Sequence, residues 1–146
     1  MSREFLNQTN HIMTYEYYLD VLKNKYADFN GRARRSEYWY FTLFNIIAIL
    51  VLAGIGAVLG IVGSALLIIY YLGILVPTIA VVVRRLHDVG KSGWFYFIVL
   101  IPLVGSIWLI VLFCTDSTPG TNEYGPNPKG IGNNFTDDQA IKSIGQ

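Results

Sequence analysis

The stretch YWYFTLFNIIAILVLAGIGAVLGIVGSALLIIYYLGILVPTIAVVV, from Tyr38 to Val83, holds no Asp, Glu, Lys, Arg or His in 46 residues. A single helix of that length would reach about 69 Å, over twice a hydrocarbon core of about 30 Å. The run must therefore cross a bilayer twice. Helix propensity is lowest where Gly60, Gly63 and Ser64 cluster, so spans are expected over 38–59 and 63–83, joined by a very short turn. Gly56 and Gly60 form a GxxxG pair, with Ala53 and Ala57 on a neighbouring stripe. That spacing permits close helix approach, read here as a tight hairpin of the two spans in preference to a homodimer face.

Working outward, a third apolar run, 94–114, has the length one crossing needs. Backbone groups in lipid need internal partners, so helices are the expected form. Arg32, Arg34 and Arg35 precede the first span, and Arg84, Arg85 and Lys91 separate the second from the third. These cations place both flanks in the cytoplasm, with Trp39 and Trp94 at the same interface. The carboxyl terminus is then expected outside. Pro102 and Gly105 sit midway along the third run, where a re-entrant hairpin would instead return residues 122–128 to the basic motifs.

Residues 14–29 space Tyr15, Tyr18, Leu19, Leu22, Tyr26 and Phe29 as one helical face, which predicts an amphipathic helix within a cytoplasmic segment 1–37. Residues 1–13 are mostly polar, so no cleavable signal is read there and the amino terminus is expected to stay in the cytoplasm. Residues 115–146 read as a polar tail. The expected fold class is thus all-α, a polytopic membrane protein with three transmembrane helices, the membrane domain covering 38–114, preceded by an amphipathic N-terminal helix.

Composition agrees: 53% of residues are hydrophobic and 14% charged, with a mean hydropathy of +0.41. With the charge-free middle of the chain, this excludes a disordered chain and a nucleic-acid binder with a broad basic face, and at a net charge of +1 no whole-molecule steering toward polyanions is expected. One cysteine, Cys114, forms no internal disulfide.

Three segments carry possible chemistry. In the first, FNGRARRSEYW over 29–39, Asn30 is a candidate helix cap and Glu37 stands three residues after Arg34, within pairing distance on a helix. In the second, RRLHDVGKSGW over 84–94, Gly90-Lys91-Ser92 resembles the end of a phosphate loop, but Arg85 stands where its first glycine is needed. His87 and Asp88 are adjacent on one loop and lack the further groups of a metal or acid–base site, so His87 is expected to bond a carboxylate or the backbone. Gly90 and Gly93 read as turn residues. In the third, NEYGPNP over 122–128, Gly125 and Pro126 make a compact turn whose Asn122 and Tyr124 would dock onto the bundle.

In this order the three motifs resemble the bacterial inner-membrane family called domain of unknown function 805, over roughly residues 25–130. Gly31, Glu37, Trp39, His87, Asp88, Gly93, Trp94, Asn122, Tyr124, Gly125 and Pro126 are the motif positions. The resemblance implies a small multi-pass protein of the bacterial plasma membrane, and implies no reaction.

The residues themselves support a non-catalytic module that holds anionic membrane lipid, or a protein partner, on Arg32, Arg34, Arg35, Arg84, Arg85 and Lys91, since arginine forks suit phosphate oxygens. The alternative is a subunit of a small oligomeric transporter or channel, for which ionisable residues inside the spans are expected and none occurs. No enzyme activity, cofactor, metal or nucleic-acid partner is expected. Asn45, the carboxamide of the first span, needs a buried partner in the second. Pro77 strips the Gly73 carbonyl of its helical donor, and Thr78 and Pro102 fall at a similar expected depth, so Asn45, Pro77, Thr78 and Pro102 are read as one intramembrane polar layer.

Overall fold

The computed structural model describes residues 14–133. Its helices are α1 (Thr14–Lys23), α2 (Arg35–Leu59), α3 (Ile61–Asp88), a 3-10 helix over Gly93–Leu100, and α4 (Val104–Cys114), with no strand among the described residues. They form two compact units, one of residues 14–28 with 39–80, the other of residues 29–38 with 81–133.

In the first unit, α2 ends at Leu59 and α3 begins at Ile61, so Gly60 alone makes the turn, at φ 59°. An L side chain rarely adopts that left-handed conformation, which explains glycine there. The two helices then run back against each other so closely that a Cβ at Gly63 would collide with the Gly56 backbone. The helices span 25 and 28 residues, or about 38 and 42 Å at the helical rise, enough to cross a bilayer. Both are long and apolar enough for membrane spans. Their apolar side chains face outward, Val58 at 83% and Ile61 at 85% exposure among them. In water such a surface would drive association; in lipid it is the solvated state.

The α1 helix is shorter than the 14–29 helix the spacing suggests, because the chain turns after Lys23 with Asn24 and Lys25 amides both donating to the Asp20 carbonyl. It seats Val21 in full burial and stacks Tyr17 on Tyr40, while Tyr18 packs against Phe41 and Phe44.

The second unit revises the third apolar run. Residues 94–114 do not form one helix. The 3-10 helix and α4 contain 8 and 11 residues, each only about 16 Å long and half a hydrocarbon core. Between them Leu103 has φ 64° and ψ −60°, and the Val104 amide bonds the Pro102 carbonyl at 2.7 Å, a three-residue γ-turn of the rarer, strained hand. Pro102 cannot donate to a continuing helix, and Gly105 lets the two arms touch, since a Cβ there would overlap the Ile98 carbonyl. Val82, Leu86, Leu109 and Phe113 form the core, with Tyr38, Phe95, Ile98 and Leu112 around it. The described part of the polar tail, through residue 133, is folded into this unit.

Candidate functional site

Two arginines and one aspartate organise the second unit. Asp88, the last residue of α3, is completely buried. Its Oδ1 accepts from Arg32 Nε at 3.0 Å, and its Oδ2 accepts from Arg85 Nη1 and from Ser117 Oγ at 2.6 Å. Burying ions costs several kcal/mol each unless every donor is satisfied, on the order of the pair's own attraction. The chain meets that requirement with backbone carbonyls. Arg32 Nη1 donates to Gly120 and Gly125, at 2.8 and 3.3 Å, and Nη2 to the Asp88 and Thr118 carbonyls and to Thr118 Oγ1. Arg85 donates to the carbonyls of Leu112, Phe113 and Thr115, the ones left open at the end of α4. A cation at a helix carboxyl terminus also suits the helix dipole.

The other motif residues extend this lock. The His87 ring stacks on Tyr124 with centroids 3.8 Å apart and planes 4° from parallel, and its Nδ1 lies 3.2 Å from the Gly31 carbonyl. A carbonyl only accepts, so Nδ1 carries a proton. Asn122 Nδ2 donates to the His87 carbonyl at 2.9 Å while its Oδ1 accepts the Tyr124 amide, and Asn122 and Gly125 exchange main-chain bonds at 3.0 Å. Pro126 follows directly, and Asn127, which the sequence reading passed over, ties the Thr118 carbonyl to the Lys129 amide. Its partners Thr118, Lys129 and Asn133 all lie within nine positions, but they sit in irregular chain that no helix or strand spacing singles out. Gly93 lies against Val83, where a Cβ would come within 2.9 Å of a methyl group. Burial, then a hydrogen bond with Glu123, raises the Tyr124 hydroxyl above its ordinary pKa.

The six expected ligand cations therefore divide. Arg32 and Arg85 are consumed inside the protein. Arg35 reaches the Cys114 carbonyl at 3.1 Å and Asp116 at 3.5 Å, an exposed pair of small energetic weight. Asp116 itself is held below the usual carboxylate range by the Lys129 ammonium and the Ser117 amide. Lys91 is exposed, its Nζ 5.8 Å from the Phe95 ring. Neither it nor Arg34 meets a carboxylate in an ion pair among the described residues. Glu37 pairs with Arg84, 47 positions away, and not with Arg34. The segment 29–34 is not helical, so Asn30 caps no helix and Arg34 shares no helical face with Glu37.

In the first unit, Asn45 finds its partner in α3, but that partner is Tyr70, whose hydroxyl donates to Oδ1 at 2.6 Å; Asn45 Nδ2 donates back to the Phe41 carbonyl. Tyr18, 3.3 Å from Tyr70, completes a chain of three side chains. The Gly73 carbonyl opened by Pro77 is taken by Tyr26, which donates at 2.5 Å, and Thr78 donates to Ile74 within its own helix. Pro102 belongs to the second unit. Among the described residues no three His, Cys, Asp or Glu side chains gather as a metal site.

The family model described as "Protein of unknown function (DUF805)" matches residues 26–126, a range that holds Arg32, Arg84, Arg85, Asp88 and the Thr118–Gly125 carbonyls. Inner membrane protein YhaI of Escherichia coli (strain K12) is 44% identical over 114 residues, covering 78% of this chain and 96% of that protein. Inner membrane protein YhaH of the same strain is 48% identical over 119 residues, covering 78% and 97%. Neither name states a reaction. No solved structure matches.

Proposed function

The chain belongs to the DUF805 family, whose relatives above are inner membrane proteins, and from that premise we propose that it is a non-catalytic module of the bacterial inner membrane that binds anionic lipid at its cytoplasmic face. In this reading α2 and α3 cross the bilayer, while the third apolar run enters one leaflet and turns back at Leu103. Both termini then lie in the cytoplasm.

One observation carries the reading. Arg32, before the first span, donates to Asp88, after the second, and to Thr118, Gly120 and Gly125, after the third run. A charged cluster so constructed belongs in the aqueous or headgroup layer, so all three segments share one side of the membrane. Of the cations outside this lock, Lys91 is exposed and Arg34 half-buried, and Trp39 and Trp94 are both exposed aromatic residues of the kind suited to an interface. Each basic residue near an anionic surface contributes about 1 kcal/mol. The alternative of a transporter or channel gains no support from the spans, which hold no acid, base or histidine between Tyr38 and Val83.

The test is quantitation of lipid carried through purification in native membrane patches. The Arg34→Gln, Lys91→Gln double variant should retain less phosphatidylglycerol and cardiolipin than wild type at equal thermal stability. Retention equal to wild type defeats lipid binding.

A further inference from the structure

Arg84 is 2% exposed, yet two of its three guanidinium nitrogens, Nε and Nη2, have no hydrogen-bond partner. Two bonds hold it in place. The Arg84 carbonyl accepts from the Ala33 amide at 3.0 Å, and its Nη1 bonds Glu37 in the first turn of α2. The head group is therefore held at the start of that helix. Two more buried polar atoms without a partner belong to the same few residues, Arg34 Nε and Ser36 Oγ. The first bond of α2 runs from the Tyr38 amide to the Arg34 carbonyl at 3.2 Å, so the amides of Arg35 and Ser36 have no acceptor within the helix.

A buried donor left unsatisfied costs about 1–3 kcal/mol, more when charged. Four such atoms on neighbouring residues are unusual in a unit that elsewhere satisfies Arg32 and Arg85 in full. The geometry is also specific. Nε and Nη2 are the two nitrogens of one guanidinium edge, whose parallel N–H bonds match two oxygens of a phosphate or carboxylate. A helix amino terminus adds amide donors and a favourable dipole for the same anion. A carboxylate already occupies Nη1, so the Nε/Nη2 edge is the part of the fork left for another acceptor.

We infer that the Nε/Nη2 edge of Arg84, with Arg34 Nε, Ser36 Oγ and the opening amides of α2, is a seat for one phosphate group. Arg34 and Ser36 are only half-buried, which puts the seat one side chain below the surface. It deepens the headgroup reading above and rests on it for the source of the phosphate, since the same chemistry would accept a phospholipid or a soluble phosphate.

The experiment uses full-length protein stripped of lipid in a neutral detergent. Thermal midpoint is followed against inorganic phosphate, against dihexanoyl phosphatidic acid, and against chloride at matched ionic strength. The expected result is a saturable rise with a phosphate-bearing probe that chloride does not reproduce. Arg84→Lys keeps a charge for Glu37 but deletes the forked edge, and should weaken the apparent affinity at least tenfold. Ser36→Ala should weaken it severalfold, and carries the test if Arg84→Lys does not fold. A response to phosphatidic acid alone assigns the seat to a lipid headgroup; a response to inorganic phosphate as strong as to the lipid assigns it to a soluble ligand. No response beyond chloride, or wild-type affinity in both Arg84→Lys and Ser36→Ala, overturns the seat. Lipid retention that falls in the Arg34→Gln, Lys91→Gln variant would then still uphold the broader reading, whereas a saturable phosphate response with unchanged lipid retention would uphold only the seat.

Discussion

Asp88→Asn is the most informative single change. It preserves the shape of the side chain and one acceptor oxygen, and removes the negative charge that Arg32 Nε and Arg85 Nη1 share. The new amide nitrogen would face a donor on whichever side it points, Arg32 on Oδ1 or Arg85 and Ser117 on Oδ2. Breaking one buried ion pair by removing a partner costs about 3–5 kcal/mol, because an uncompensated charge stays behind. Here two guanidiniums stay behind, each with its side chain at 1% exposure or less. Their bonds to the carbonyls of residues 112–125 survive and soften the loss, so a cost of about 4 kcal/mol is expected, a large part of the ~5–15 kcal/mol that usually holds a domain together.

The damage should fall on the second unit. Proteolysis in detergent is expected to open residues 115–133 at least a hundredfold faster than in wild type, while helical circular dichroism changes little. Arg32→Gln should produce a similar loss. Because both changes break one network, the double variant should cost clearly less than the sum of the two. A thermal midpoint within about 2 °C of wild type for Asp88→Asn, or strict additivity of the pair, would refute the view that this carboxylate ties the three segments together.

Leu103→Gly removes the penalty of a non-glycine residue in the γ-turn, and as Leu103 is 79% exposed little packing is lost; a gain of about 1 kcal/mol is expected in thermal unfolding. Gly63→Ala should destabilise the α2–α3 hairpin by about 1–3 kcal/mol, whereas Gly56→Ala should be mild, since its Cβ would meet only ordinary contacts near 3.5 Å. Tyr70→Phe deletes the donor to Asn45 and should cost about 0.6–2 kcal/mol, read as a lower unfolding midpoint in detergent. A cysteine introduced at Ser143 in a Cys114→Ser background should resist a membrane-impermeant maleimide applied outside intact cells and react after permeabilisation; labelling from outside would exclude the re-entrant third run.

Some of this architecture could be read directly from the chain because its physics is local. A charge-free run twice the width of a bilayer must fold back, and Gly60 marks the place. The third run misled by length alone. Its 21 residues suit one crossing, yet Pro102 and Gly105 permit a turn, and the choice was decided by contacts that periodicity does not encode: the Ile98 carbonyl against Gly105 and Arg85 against the end of α4. Asn45 illustrates the same boundary. Its need for a buried partner in α3 follows from chemistry, but Tyr70 was chosen over Thr78 by the reach of a long side chain.

The basic residues show most clearly why residue type alone does not assign a role. Six cations near a membrane look equivalent on paper, and sequence spacing offers only neighbours three or four positions away, which is how Arg34 was matched to Glu37. The folded chain uses separations of 47 for Glu37 with Arg84, 56 for Arg32 with Asp88 and up to 93 for Arg32 with Gly125. Those distances turn Arg32 and Arg85 into internal ties whose five-donor forks are matched to carbonyls, a task lysine could not perform. Among the described residues, Arg34 and Arg84 are the arginines with buried donors that nothing in the chain satisfies, and of these the more deeply buried one, Arg84, has the whole Nε/Nη2 edge of its fork unspent. A cation kept so far from water and from a second carboxylate is costly unless an anion comes to it, and that cost is the physical reason for placing a ligand at Arg84 ahead of the exposed positive charges around it.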